Sequence, residues 1–168
     1  MTTSAMTSAL TPAALGARII AYVIDAIALG LVGIVVVGAI YSDFSLAGSV
    51  LRAIILAVLG FLYFGYTWTA WRATPGQRML GLMTVNAADG AALTWNQATT
   101  RWAFLFGPSV LGQLLTGASA TGTPFTGLIG LLVLAYYVYL LYTTANDPRR
   151  QGFHDKQAAT LVTVKTGP

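Results

Sequence analysis

The 168-residue chain has no cysteine and no glutamate, a single histidine, and charged residues at only 8% of positions. Without cysteine there are no disulfides and no thiolate chemistry, and the redox compartment leaves no mark on the sequence. Without glutamate, five aspartates carry all the acid, so few groups remain for carboxylate chemistry. One histidine with neither cysteine nor glutamate cannot complete a metal-ligand set. No Ser sits in a G-x-S-x-G setting, and no P-loop spacing occurs. The sequence therefore offers no catalytic residues, no metal site and no cofactor motif. Charge is scarce as well: a soluble domain carries about 25% charged residues, which its surface needs.

What is present is apolar. Hydrophobic residues make up 56% of the chain and mean hydropathy is +0.70. A helix crosses a bilayer core with roughly 20 apolar residues. Four runs are candidates, with helices expected at about 17–42, 50–71, 101–116 and 125–144. The third is the shortest and contains Gly107–Pro108, a possible break. The first, which includes Asp25, is too long and too interrupted for a secretory signal peptide. Aromatic residues gather near Phe61–Trp71 and Tyr136–Tyr142, as expected where rings meet a membrane–water interface.

Basic residues set the orientation. With four crossings, Arg18, Arg72, Arg78, Arg101, Arg149, Arg150, Lys156 and Lys165 fall on one side and only Arg52 on the other. The positive-inside rule then places both termini and the 72–100 loop in the cytoplasm. The fold class expected is an all-α membrane protein, a four-transmembrane-helix bundle with a small cytoplasmic β-hairpin or loop element. Residues 1–16, which carry no charged side chain, read as a disordered or loosely helical tail ahead of a single membrane domain at 17–168. Within the loop, Leu82–Val85 reads as a strand, Asp89–Gly90 as a hairpin turn and Ala91–Leu93 as its return. Thr94 with Gln97 fits a capping box opening the third long helix. Thr160–Val164, in the 145–168 tail, also reads as a strand able to join the loop in a small sheet.

Asp25 lies inside the first run, where a carboxylate costs roughly 2.5 to 3.5 kcal/mol on insertion scales and so needs a partner or a task. Arg18 is seven residues earlier on the same helix face, about 10 Å away along the axis and too far for a direct pair. Matching depths proposes Tyr63, Tyr66 and Tyr137 as neighbours of Asp25, with Arg18 or Arg101 as its possible ionic partner. A carboxylate among tyrosine hydroxyls can hold a proton or exchange it for a cation. It can equally be a helix-to-helix clamp. Thr74–Pro75–Gly76 reads as a turn at the membrane surface with Arg78 toward lipid headgroups. Asp155 is expected to pair with Arg149, Arg150 or a loop arginine, docking the tail. Ala26, Gly30, Gly33 and Val37 form a small-residue stripe suited to close helix contact, within one chain or in a homodimer or larger assembly.

Three islands, ARIIAYVIDA (17–26), ATPGQRMLGLMTVNAADGAALTWNQATTR (73–101) and NDPRRQGFHDKQAATLVTV (146–164), resemble the RDD family of prokaryotic membrane proteins, named for one arginine and two aspartates. By this resemblance Arg18 and Asp25 match the first two signature residues, and the second aspartate is Asp155, with Asp147 the alternative. Gln77 stands where the family commonly has Lys. The resemblance implies a multi-pass protein of the prokaryotic inner membrane and a transport role, with protons or monovalent cations as the partners. The competing expectation is a non-catalytic scaffold whose Arg and Asp residues are structural.

Overall fold

The computed structural model describes residues 10–40, 46–117 and 124–165. It is mostly helical, with the order α1 (Leu15–Ile40), α2 (Leu46–Ala70), α3 (Pro75–Met79), β1 (Leu82–Asn86), α4 (Trp95–Gly117), α5 (Pro124–Asn146), α6 (Phe153–Gln157) and β2 (Thr160–Val164). Three helices, α1, α2 and α5, are long and apolar enough to cross a membrane. Their surfaces agree with that: in α5 only 6% of the apolar window is buried, so Leu131, Leu132 and Leu134 face outward. Apolar exposure on this scale belongs against lipid. α4 does not meet the same standard, because Asn96, Gln97 and Arg101 dilute its first half. It packs along α2 around a cluster of Phe64, Trp68, Leu93 and Ala98, with Trp102 and Phe106 against them, while Phe104, Leu111 and Leu115 face outward. Pro108 lies inside α4, and the helix continues through it.

The long helices match the expected runs to within a few residues, except that α4 begins one and a half turns early, at its capping box. Thr94 accepts from the Gln97 amide at 3.2 Å and its own amide donates to Gln97 Oε1 at 3.1 Å. The expected hairpin does not form. β1 pairs antiparallel with β2, from Leu82 opposite Val164 to Asn86 opposite Thr160, and residues 91–94 are not a strand. The Asn86 and Gly90 amides close the turn onto Ala91 and Asn86 carbonyls, which leaves the Ala91–Leu93 backbone without a ladder. The sheet therefore joins loop to tail. Thr11–Ala13, inside the stretch read as a tail, lies along the other side of β2: Ala13 N donates to Val162 O at 2.9 Å and Val164 N to Thr11 O at 3.0 Å. Ala13, Ala21, Leu82 and Val162 form a small buried core that fixes the sheet to α1.

The two halves of the chain repeat one plan. Each has two long helices, then an arginine with positive φ (Arg72 at 58°, Arg150 at 54°). Two residues later comes an N-cap (Thr74, Gly152) opening a five-residue helix, whose third residue (Gln77, Asp155) accepts from the N-cap amide. Next come a residue with positive φ (Gly81 at 64°, Ala159 at 51°) and a five-residue strand. The same interval along the chain separates every one of these pairs. α1 packs on α3 as α4 packs on α6, and the antiparallel β1–β2 pair relates the units by an approximate two-fold.

Candidate functional site

Two aspartates organise the layer where the long helices meet the sheet. Asp25, on α1, is 2% exposed. Its Oδ1 accepts from Tyr63 Oη at 2.7 Å and from the Gly76 amide at 2.8 Å; its Oδ2 accepts from Thr74 Oγ1 at 2.5 Å. Thr74 is the N-cap of α3 and Gly76 lies in its first turn, so the carboxylate seats the free amide end of that helix on α1 and α2. Only glycine fits there: a Cβ at position 76 would lie 2.2 Å from the Ala21 carbonyl oxygen and 3.0 Å from Asp25 Cγ. A buried relay, Gln77 Nε2 to Thr84 Oγ1 at 2.9 Å, carries the anchorage on into β1.

Asp155 is the second node and is fully buried. Arg18 Nη2 donates to its Oδ2 at 2.5 Å, and Arg18 Nη1 donates to the Arg150 carbonyl. Arg101 Nη1 donates to Asp155 Oδ1 and, at 2.7 Å, to Thr160 Oγ1. The Gly152 amide donates to Oδ2 at 3.0 Å, closing the first turn of α6. Burial pushes the Asp155 carboxyl up, but the Arg101 and Arg18 guanidiniums outweigh it and hold the group well below the usual carboxylate range. Beside it, burial pushes His154 down to about 3, so this imidazole is neutral at pH 7. Arg101 also lies over the Trp68 ring, 5.0 Å from its centroid.

Asp25, Tyr63, Arg18, Arg101 and Asp155 thus share one layer, but neither arginine touches Asp25; both are committed to Asp155. The expected Asp155 partners Arg149 and Arg150 are replaced. The Arg150 side chain caps the Ala145 carbonyl and Arg149 donates to the Ala87 carbonyl. Asp147 pairs with Lys156 at 2.5 Å, outside the layer. Tyr66 points outward against Trp71 and takes no part. Thr74, Gly76 and Thr160 were not foreseen. The sequence signal for the first two was the T-P-G-Q string, in which Thr74 and Gln77 have capping-box spacing with Pro at the first helical position.

Tyr137, on α5, faces Ser109 of α4 across a cavity wall. It separates two cavities. One, of about 330 Å³, is bordered by Asp25, Arg18, Arg101, Trp68 and Thr144; the other, of about 260 Å³, by Gly60, Ser109 and Gln113. Tyr22, Phe64 and Tyr137 wall both. Gly33 of the small-residue stripe is used inside the chain, against Leu56. Among the described residues no three His, Asp or Glu side chains gather as a metal site.

Neither the curated proteins nor the solved structures include a match to this chain. A family model does match, over residues 12–159, and those bounds enclose Arg18, Asp25, Arg101 and Asp155. The chain belongs to the RDD family.

Proposed function

We propose that this is a four-crossing membrane protein with both termini and the β1–β2 cap in the cytoplasm, acting as a small transporter or transporter subunit. α4 is the fourth crossing. Its polar residues Asn96, Gln97 and Arg101 lie in its first turns, and the rest of the helix offers Phe104, Leu111 and Leu115 to lipid. The observation that carries the transport reading is the pair of cavities, which lie in series between the two halves and touch at Tyr22, Phe64 and Tyr137. Helices with only a scaffolding task have no reason to leave such unfilled space between them. Protons or monovalent cations remain the substrates to test, and a homo-oligomer the assembly to test.

A second reading has its own support. All three Asp25 partners donate to it, filling about three of a carboxylate's four acceptor positions and tying α1 to α2 and α3. That favours Asp25 as the anchor of a membrane scaffold. Cation-dependent proton flux in proteoliposomes separates the readings. Flux in the parent that is lost when Tyr137→Phe or Asp25→Asn is reconstituted as a folded protein supports transport. A parent silent under every tested gradient removes it. Topology is checked independently: a cysteine at Ala47 should react only with reagent added outside, and one at Asp89 only from inside.

A further inference from the structure

The approximate two-fold makes a demand that the structure meets on one side only. It relates the α2–α4 seam to an α5–α1 seam. α2 and α4 pack more extensively than any other pair of elements, whereas α1 barely touches α5. The 330 Å³ cavity lies at this missing contact. Its floor is buried: Phe64, Trp68 and Arg101 belong to α2 and α4. Its most exposed lining residues are Ile19 (41%) and Tyr22 (45%) on α1 and Leu141 (44%) on α5. The cavity therefore opens sideways between two helices whose outer faces are apolar. We propose that this crevice binds an anionic phospholipid, one acyl chain lying between Tyr22 and Leu141 and the headgroup beside Arg18.

Shape and charge select this occupant. A cavity of 330 Å³ is at the small end of ligand sites and far too narrow for a helix of about 10 Å diameter, which excludes a neighbouring protein segment. Water gains nothing among Ile19, Leu105, Leu140 and Leu141, whereas a hydrocarbon chain does. At the cytoplasmic end two guanidiniums share one carboxylate. Across the whole cytoplasmic layer eight basic side chains face four aspartates. Arg18 lines the cavity and spends one bond each from Nη1 and Nη2 on protein partners, out of the five N–H groups of a guanidinium. A phosphodiester suits what remains.

The inference rests on α1 and α5 crossing the bilayer, which is tested separately by cysteines at Thr11 and Lys165, expected to react only from inside, against cysteines at Ala47 and Ser119, expected to react only from outside. The full chain, purified in mild detergent and stripped of lipid, is offered equal amounts of phosphatidylglycerol and phosphatidylcholine and read by native mass spectrometry. One phosphatidylglycerol per chain should be retained, about tenfold over phosphatidylcholine. Ile19→Trp with Leu141→Trp, which fills the mouth, should cut retention about tenfold. Leu31→Trp with Leu134→Trp, outward on the same helices, should leave retention at the parent level. If the double mouth variant aggregates, Leu141→Trp alone is read against Leu134→Trp alone. No retained lipid, equal retention of the two lipids, or equal loss in the mouth and control variants overturns the proposal.

Discussion

Replacing Asp25 or Asp155 by its isosteric amide should separate the two nodes. In Asp155→Asn, Arg18 and Arg101 lose the one carboxylate they share, and Arg101 is almost wholly buried. A buried charge left without its partner costs about 3–5 kcal/mol. That is about a fifth or more of a typical domain's stability. Asp25→Asn removes no ion pair. The amide oxygen can keep Tyr63 Oη and the Gly76 amide, and the amide nitrogen can donate to Thr74 Oγ1, which as a hydroxyl has two lone pairs. What goes is the charge assistance of three hydrogen bonds, offset by no longer burying a charge, for a net loss of about 1–2 kcal/mol.

SDS unfolding titrations in mixed micelles would measure both variants. A third variant isolates the cause: Asp155→Asn combined with Arg101→Met removes one stranded cation and should be less destabilised than the two single changes summed, by more than about 1 kcal/mol. If Asp25→Asn loses as much as Asp155→Asn, or if the double change is strictly additive, the division into an ionic node and a hydrogen-bonded node is wrong.

Gly76→Ala should detach α3 from α1, because the clash is with a backbone carbonyl that cannot rotate away; overpacking costs about 1–3 kcal/mol, and proteolysis within 72–90 should accelerate. Ala159→Gly should stabilise the chain by about 1 kcal/mol, since Ala159 holds a φ of 51° where the equivalent residue of the first half is Gly81; an unchanged or lower unfolding midpoint would contradict this. His154 is neutral in the folded state down to about pH 3 but takes up a proton near pH 6.5 when unfolded. The unfolded state then binds the extra proton, so stability is full above about pH 6.5 and falls by up to about 1.4 kcal/mol per pH unit as acid is added toward pH 3. His154→Gln should flatten that slope, and a parallel slope would show that another group is responsible.

Period and length made the long helices legible, and Thr94–Gln97 announced the start of α4 correctly. The strand at Leu82 was equally legible, but its partner was not. Asp89–Gly90 has the chemistry of a hairpin turn, yet Leu161 and Val162 bury apolar side chains on both faces of their strand, which Ala91–Ala92 cannot match, and the distant partner won. Asp25 stood out because a carboxylate in an apolar run is costly. Its donors did not, because depth matching along straight helices points to side chains at the same height. It cannot foresee that Thr74 and the Gly76 amide fold back over the helix end. The repeat was hidden more thoroughly: PGQRM and FHDKQ share no residue at any aligned position, and what they have in common is backbone, an N-cap amide bonded to the third helical side chain and a positive φ at fixed places.

That common plan gives Arg18, Asp25 and Asp155 distinct structural tasks. Each half must hold a five-residue helix, too short to be stable alone, against the end of its first long helix. The first half does so with an acid on the long helix: Asp25 meets the free amide of Gly76. The second half reverses the arrangement. The acid, Asp155, is on the short helix at the capping position that Gln77 holds in the first, and the long helix answers with Arg101. Arg18 belongs to neither half alone. It leaves α1 and crosses to Asp155, so one ion pair spans the two units on the side where α1 and α5 do not pack. A change in the width of that seam, whether from a lipid entering or a solute passing, must stretch or release Arg18 from Asp155, while Asp25 and Arg101 keep each half intact.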